Sequence, residues 1–133
     1  MDFQDKQIKL IPRKSSINIK GVLHDFSKAK IMAILNLTPD SFHADSRSGS
    51  INSTLEKAAK HLEEGADILD VGAYSSRPGA TDISEDEEIE RLIPSLIALR
   101  KEQPNTVISV DTFRAQVAKQ ALENGADIIN DIS

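Results

Sequence analysis

Four short apolar runs, each ending in Asn or Asp and separated by stretches of helix length, constrain this chain most. ILN closes at Asn36, DILD at Asp70, SVD at Asp111 and IIN at Asn130. Residues 31–35, 68–71, 107–110 and 128–129 read as buried strands. A helix is expected to follow the first run. Asn52 or Ser53 would cap it, Leu55, Ala58, Ala59 and Leu62 would form its apolar face, and Gly65 would end it. A second helix starts after Ser84, whose spacing to Glu87 is that of a capping box, and runs through Leu92, Ile93, Leu96 and Leu99. Pro94 should kink or break it. A third helix spans 113–124. Strands alternating with helices imply right-handed βαβ units and a parallel sheet, an α/β fold.

An internal echo supports repetition of this unit. EEGADILDV at 63–71 returns as ENGADIIND at 123–131, each copy giving a helix end, a Gly suited to a left-handed cap, then Ala, Asp and a strand. Residues 17–26 alternate loosely around Gly21 and read as a short hairpin. Residues 38–50 and 72–83 are long polar loops, of the kind that carries function in compact domains.

One Asx residue after an apolar run is ordinary turn or cap chemistry. Four in succession suit a (β/α)8 barrel, where the carboxyl ends of the strands converge on one mouth. Such a ring offers donors and acceptors with little positive charge. It suits a polar heterocycle bearing amino and ring N–H groups, or a hard cation with oxygen ligands. A full TIM barrel takes about 250 residues. With 133 residues, the chain is expected to cover roughly the first four βα units: a hairpin region over 1–28 and barrel units over 29–133.

Composition excludes several classes. A formal charge of −5 without a basic cluster argues against a nucleic-acid partner. With no Cys, the chain has neither disulfides nor thiolate metal ligands. No apolar run approaches the ~20 residues of a membrane span, and residues 1–16 lack a signal-peptide core. A cytoplasmic protein without a membrane partner is expected. His24, His43 and His61 have no metal-ligand spacing and read as surface or loop residues.

Four segments in order then match one family. They are Asn36-Leu-Thr-Pro-Asp-Ser-Phe42, Asp70-Val-Gly-Ala-Tyr-Ser-Ser-Arg-Pro-Gly79, Ser109-Val-Asp-Thr112 and Asn130-Asp-Ile132. The chain resembles the first half of the dihydropteroate synthases over about residues 31–133. That resemblance implies a transferase of folate biosynthesis, which condenses 6-hydroxymethyl-7,8-dihydropterin pyrophosphate with 4-aminobenzoate and releases pyrophosphate. It implies a (β/α)8 barrel, Mg²⁺ as cofactor, a homodimer for the full-length enzyme, and sulfonamides as mimics of aminobenzoate. Asn36 would help hold the metal-pyrophosphate. Asp111 and Asn130 would hydrogen-bond the pterin. Thr38 and the segment Ser75, Ser76, Arg77, Pro78 and Gly79 would close over pyrophosphate and aminobenzoate.

The residue chemistry agrees with these roles. A carboxylate at Asp111 can accept two parallel N–H bonds from an aminopyrimidine edge. Arg77 has a planar fork suited to phosphate or carboxylate, and it is otherwise a solvated loop charge. Asp40 could stabilise a cation-like carbon as pyrophosphate leaves, and it is otherwise a turn residue after Pro39. Three departures from the family stand out: Tyr74 where Glu is frequent, Ser76 for Thr, and a first loop reading SFHADSRSGS. A methyltransferase-type pterin barrel would share the strand-end residues without the SSRPG segment. A non-catalytic half-barrel binding or assembly module is the reading from another class. The family places a Lys, an Arg and a His in its second half, so the chain alone is expected to be inactive.

Overall fold

The computed structural model describes residues 14–37, 47–74 and 82–133. Strands β1 (Ser16–Ile19) and β2 (Val22–Asp25) form an antiparallel hairpin with Ile19 opposite Val22. The two-residue turn takes positive φ at both Lys20 (50°) and Gly21 (82°), as the right-handed twist of a tight hairpin requires. The Asn18 side-chain oxygen accepts from the Gly21 amide at 2.9 Å.

The remaining elements alternate: β3 (Met32–Asn36), α1 (Arg47–Glu63), β4 (Ile68–Gly72), α2 (Glu85–Glu102), β5 (Val107–Asp111), α3 (Ala115–Glu123) and β6 (Ile128–Asn130). The last four strands make one parallel sheet in the order β3-β4-β5-β6. Sequential order and parallel direction, with a helix between each pair, are the signature of consecutive barrel units. Three complete βα units and a fourth strand are present among the described residues, one helix fewer than four full units.

Side chains alternate across each strand. Leu35, Leu69, Val71, Ile108 and Val110 face the helices and join Ala58, Leu92, Leu96, Leu99, Val117 and Ala121 in the main core. Ile19, Ile68 and Val107 form a second cluster with Phe26 and Ile128 packed on it, through which the hairpin covers the amino-terminal end of the sheet.

The echoed segments fold as identical joints. Gly65 and Gly125 have φ of 108° and 120°, and the following alanine amides reach back to His61 O at 3.0 Å and Ala121 O at 2.9 Å. These are left-handed helix caps of the Schellman kind. The next residue in each copy pairs with the preceding strand. Asp67 N donates to Ile31 O at 2.8 Å while its carboxylate accepts from Ile31 N at 2.9 Å. Asp127 does the same with Ile108, at 2.8 and 2.9 Å.

Five local expectations change. Helix α1 begins at Arg47, so Asn52 and Ser53 lie inside it and do not cap it. Ser50 and Thr54 are buried there, with the Thr54 hydroxyl donating to Ser50 O at 3.1 Å, and packing overrides the weak propensity of a Ser- and Gly-rich stretch. Ala59 is exposed, while Leu55, Ala58 and Leu62 face the core. Helix α2 continues through Pro94, which sits on its exposed side, where water can satisfy the carbonyl one turn earlier. Helix α3 begins two residues after Phe113, which is exposed. Strand β4 continues past Asp70 to Gly72. The Ser84 cap is present: its hydroxyl accepts from Glu87 N at 3.1 Å.

Candidate active site

Register decides which polar residues meet. Asn36 pairs with Gly72, and Asp111 pairs with Asn130. A Cβ built on Gly72 would lie 3.5 Å from the Asp111 Cβ, so these four residues form one layer at the carboxyl end of the sheet. Gly72 leaves room in that layer beside Asp111. Asp70 sits one layer lower, opposite Ser109 and on the same sheet face as Gly72. The four strand-end residues are therefore not a single ring: Asn36, Asp111 and Asn130 share a level, and Asp70 supports them from below.

The layers differ in solvation. Asn36 is exposed, Asp111 and Asn130 are half-buried, and Asp70 and Ser109 are buried. The Asn130 amide donates to Asp70 Oδ2 at 3.3 Å. Asp70 Oδ1 and Ser109 Oγ have no hydrogen-bond partner among the described residues. Buried polar atoms are nearly always paired, so each exception calls for a partner such as a ligand or an ordered water. Burial pushes the Asp111 carboxyl above its ordinary range, and the nearby carboxylates of Asp70, Glu88 and Asp131 add to the effect.

The wall beside Asp111 is aromatic. Tyr74 and Phe113 meet edge to face with centroids 5.1 Å apart, and the Arg114 guanidinium lies 5.5 and 5.0 Å from their rings. Asp82, more than the modest burial of the ring, raises the Tyr74 phenol. A small cavity of about 170 Å³ is lined by Tyr74, Asp111, Thr112, Phe113, Ile132 and Ser133.

Thr38, Asp40, Ser75, Ser76, Arg77 and Pro78 lie outside the described residues. Of the histidines, His24 is on β2 and His61 on α1, both half-buried, and His43 lies outside the described residues. Among the described residues no group of three or more His, Asp or Glu side chains is placed to hold a metal. Asn36 offers one neutral oxygen. That donor set fits a hard cation which brings most of its ligands as water and phosphate oxygens.

The sequence reading missed Glu88, which is fully buried. A signal was there: Glu88, Leu92, Ser95, Leu96 and Leu99 recur at helical spacing, placing a carboxylate on the apolar stripe of α2.

The model of the pterin-binding enzymes matches residues 32–133, most of the chain. The chain belongs to the pterin-binding enzyme family. The mitochondrial folate synthesis bifunctional protein of Arabidopsis thaliana is 51% identical over 114 residues, covering 84% of this chain and 21% of that protein. The dihydropteroate synthase of Synechocystis is 47% identical over 112 residues, covering 84% and 38%. A Xanthomonas albilineans dihydropteroate synthase with 4-aminobenzoic acid superimposes with a TM-score of 0.78 at 35% identity, over 89% of this chain and 44% of that one. The chain thus spans less than half the length of these pterin-binding relatives. No helix among the described residues is long and apolar enough to cross a membrane.

Proposed function

We propose that this chain is the first half of a dihydropteroate synthase barrel. The reaction would join the amino nitrogen of 4-aminobenzoate to the exocyclic methylene carbon of dihydropterin pyrophosphate. A C–N bond forms, the C–O bond to pyrophosphate breaks, and the nitrogen loses a proton. The observation that carries this reading is the cross-strand pair Asp111 and Asn130, with Asp70 below it holding a buried oxygen that has no partner among the described residues. A carboxylate, a carboxamide and a further carboxylate oxygen on one sheet face are the complement of an aminopyrimidinone edge. Their partial burial keeps these hydrogen bonds out of competition with water.

Each chain residue then has a task. Asp111 accepts from the pterin N–H groups, and Asn130 supplies both a donor and an acceptor. Asn36, at the mouth, faces the pyrophosphate. Arg77, with Ser75, Ser76, Pro78 and Thr38, would meet pyrophosphate or the aminobenzoate carboxylate. Asp40 stabilises positive charge on the reacting carbon. A bound Mg²⁺ would neutralise the leaving pyrophosphate, with Asn36 as its protein contact. The full-length enzyme is proposed to be a cytoplasmic homodimer that sulfonamides inhibit by occupying the aminobenzoate position.

The test is turnover by the full-length protein with both substrates. Dihydropteroate and pyrophosphate should appear together. Arg77→Ala should lower the rate well beyond its effect on binary pterin affinity. Pterin binding with no product from the two substrates together would defeat the synthase reading and leave a binding module.

A further inference from the structure

Glu88 is buried, charged and unused by the roles above. Its Oε1 accepts from the Thr112 hydroxyl at 2.9 Å, and its Oε2 accepts from Arg114 Nη1 at 2.9 Å. Arg114 Nη2 continues to Ile83 O at 2.7 Å, and the Arg114 amide donates to Thr112 Oγ1 at 3.3 Å. Thr112 is itself buried, follows Asp111 directly, and its amide donates to Asn130 O at 3.3 Å. One carboxylate in the first turns of α2 thus grips the residue that joins both pterin-facing side chains. Its other oxygen fixes the guanidinium that lies against Tyr74 and Phe113.

An isolated buried carboxylate is costly, and a hydrophobic residue at 88 would continue the stripe of Leu92, Leu96 and Leu99. Packing alone therefore gives no reason for a Glu here. The hydroxyl of Thr112 is likewise spent on this contact. The geometry points to Glu88 and Thr112 as positioning residues that set the end of β5, and with it Asp111, for the pterin. This rests on the synthase reading proposed above, and it adds two residues, one in α2 and one directly after β5, that act through the placement of Asp111.

The experiment uses the full-length protein and dihydropterin pyrophosphate as probe, with calorimetry for affinity and stoichiometry and a parallel melting curve. Glu88→Gln and Thr112→Val should each weaken pterin binding by about fivefold at unchanged stoichiometry, the loss expected for one misplaced hydrogen bond. Thr112→Ser, which keeps the hydroxyl, should bind as the unaltered protein does. The double variant should lose less than the sum of the two single changes, because Glu88 and Thr112 act through one shared contact. At saturating pterin the KM for 4-aminobenzoate should stay within twofold. Unaltered pterin affinity in Glu88→Gln and Thr112→Val, whatever happens to the melting temperature, would overturn the inference, since a merely structural role predicts that pattern. If Glu88→Gln does not fold, the contrast of Thr112→Val with Thr112→Ser decides alone. Absence of pterin binding in the unaltered protein would overturn the synthase reading and this inference together.

Discussion

The two ends of the sheet use the same residue type in opposite ways. At the amino-terminal end, Asp127 is saturated: it accepts from Ile108 N at 2.9 Å, from Arg100 Nη2 at 2.6 Å and from Lys20 Nζ at 3.0 Å. Burial pushes its carboxyl up, but the Ile108 amide, Lys20 and Arg100 outweigh that, and it lies below the ordinary range. At the carboxyl end, burial and neighbouring acids push Asp111 up, and Asp70 keeps an oxygen unpartnered among the described residues. The lower end satisfies its acids from within the chain. The upper end leaves them wanting donors. Stability and recognition are thereby separated along the strand axis by a few residues, as barrels generally arrange them.

The comparison is most exposed at Asp127. In the full-length protein Asp127→Ala should cost about 3 kcal/mol, because it removes the carboxylate partner of the part-buried Arg100 guanidinium and leaves the Ile108 amide without its acceptor. Urea unfolding at neutral pH measures it, and a loss below 1 kcal/mol would break the claim that the lower end is a stability device. The pH dependence has a definite sign. A depressed carboxyl contributes stability above its unfolded pKa of about 4, and that contribution fades as pH falls through the lower folded value. Asp127→Asn should flatten the acid arm of the stability profile.

Asp111→Asn should behave in reverse. Its carboxyl is raised in the folded state, so ionisation works against folding, and the contribution is lost as pH rises through the folded pKa. At pH 7 the variant should be at least as stable as the unaltered protein, yet bind pterin ~10–100-fold more weakly, because an N–H would face an N–H. Reduced stability with intact binding would invert the assignment of the two ends.

A finer contrast lies between the two joints. A Cβ on Gly125 would sit 3.0 Å from the Arg100 Cβ, whereas nothing lies within 4 Å of one on Gly65. Both have positive φ, so either Ala variant should cost about 1 kcal/mol from the backbone. Gly125→Ala should cost roughly 1 kcal/mol more, for displacing Arg100 from Gly125 O, to which its Nε donates at 3.0 Å. Thermal melts of the two variants should differ in that order. The smallest effect is expected at Asp67→Ala, about 0.5 kcal/mol, since among the described residues this exposed carboxylate caps only the Ile31 amide.

Much of this was readable in the chain. Apolar runs at 31–35, 68–71, 107–110 and 128–129 located the strands because continuous apolar sequence leaves no polar alternation to mistake, and β4 and β5 are buried on both faces. Gly65 and Gly125 marked helix ends because few other residues adopt their φ. What escaped depends on neighbours in space. Asp70 looked equivalent to Asp111 until register put it a layer lower. The Asp of each Gly-Ala-Asp copy was visible as a repeat, but its bond to Ile31 or Ile108 requires knowing which strand lies alongside. Glu88 read as one more acid in the EDEE run, and only its partners after β5 give it a task. The start of α1 was hidden because buried Ser50 and Thr54 prevail over composition.

The Gly-Ala-Asp joints also bear on how such a chain can change over generations. Each joint closes on its own helix and on the strand before it, and neither touches the mouth. A lineage can therefore rewrite a mouth residue such as Tyr74 without disturbing the frame. Drift at the joints has the opposite visibility: substrate does not sense it, and temperature does.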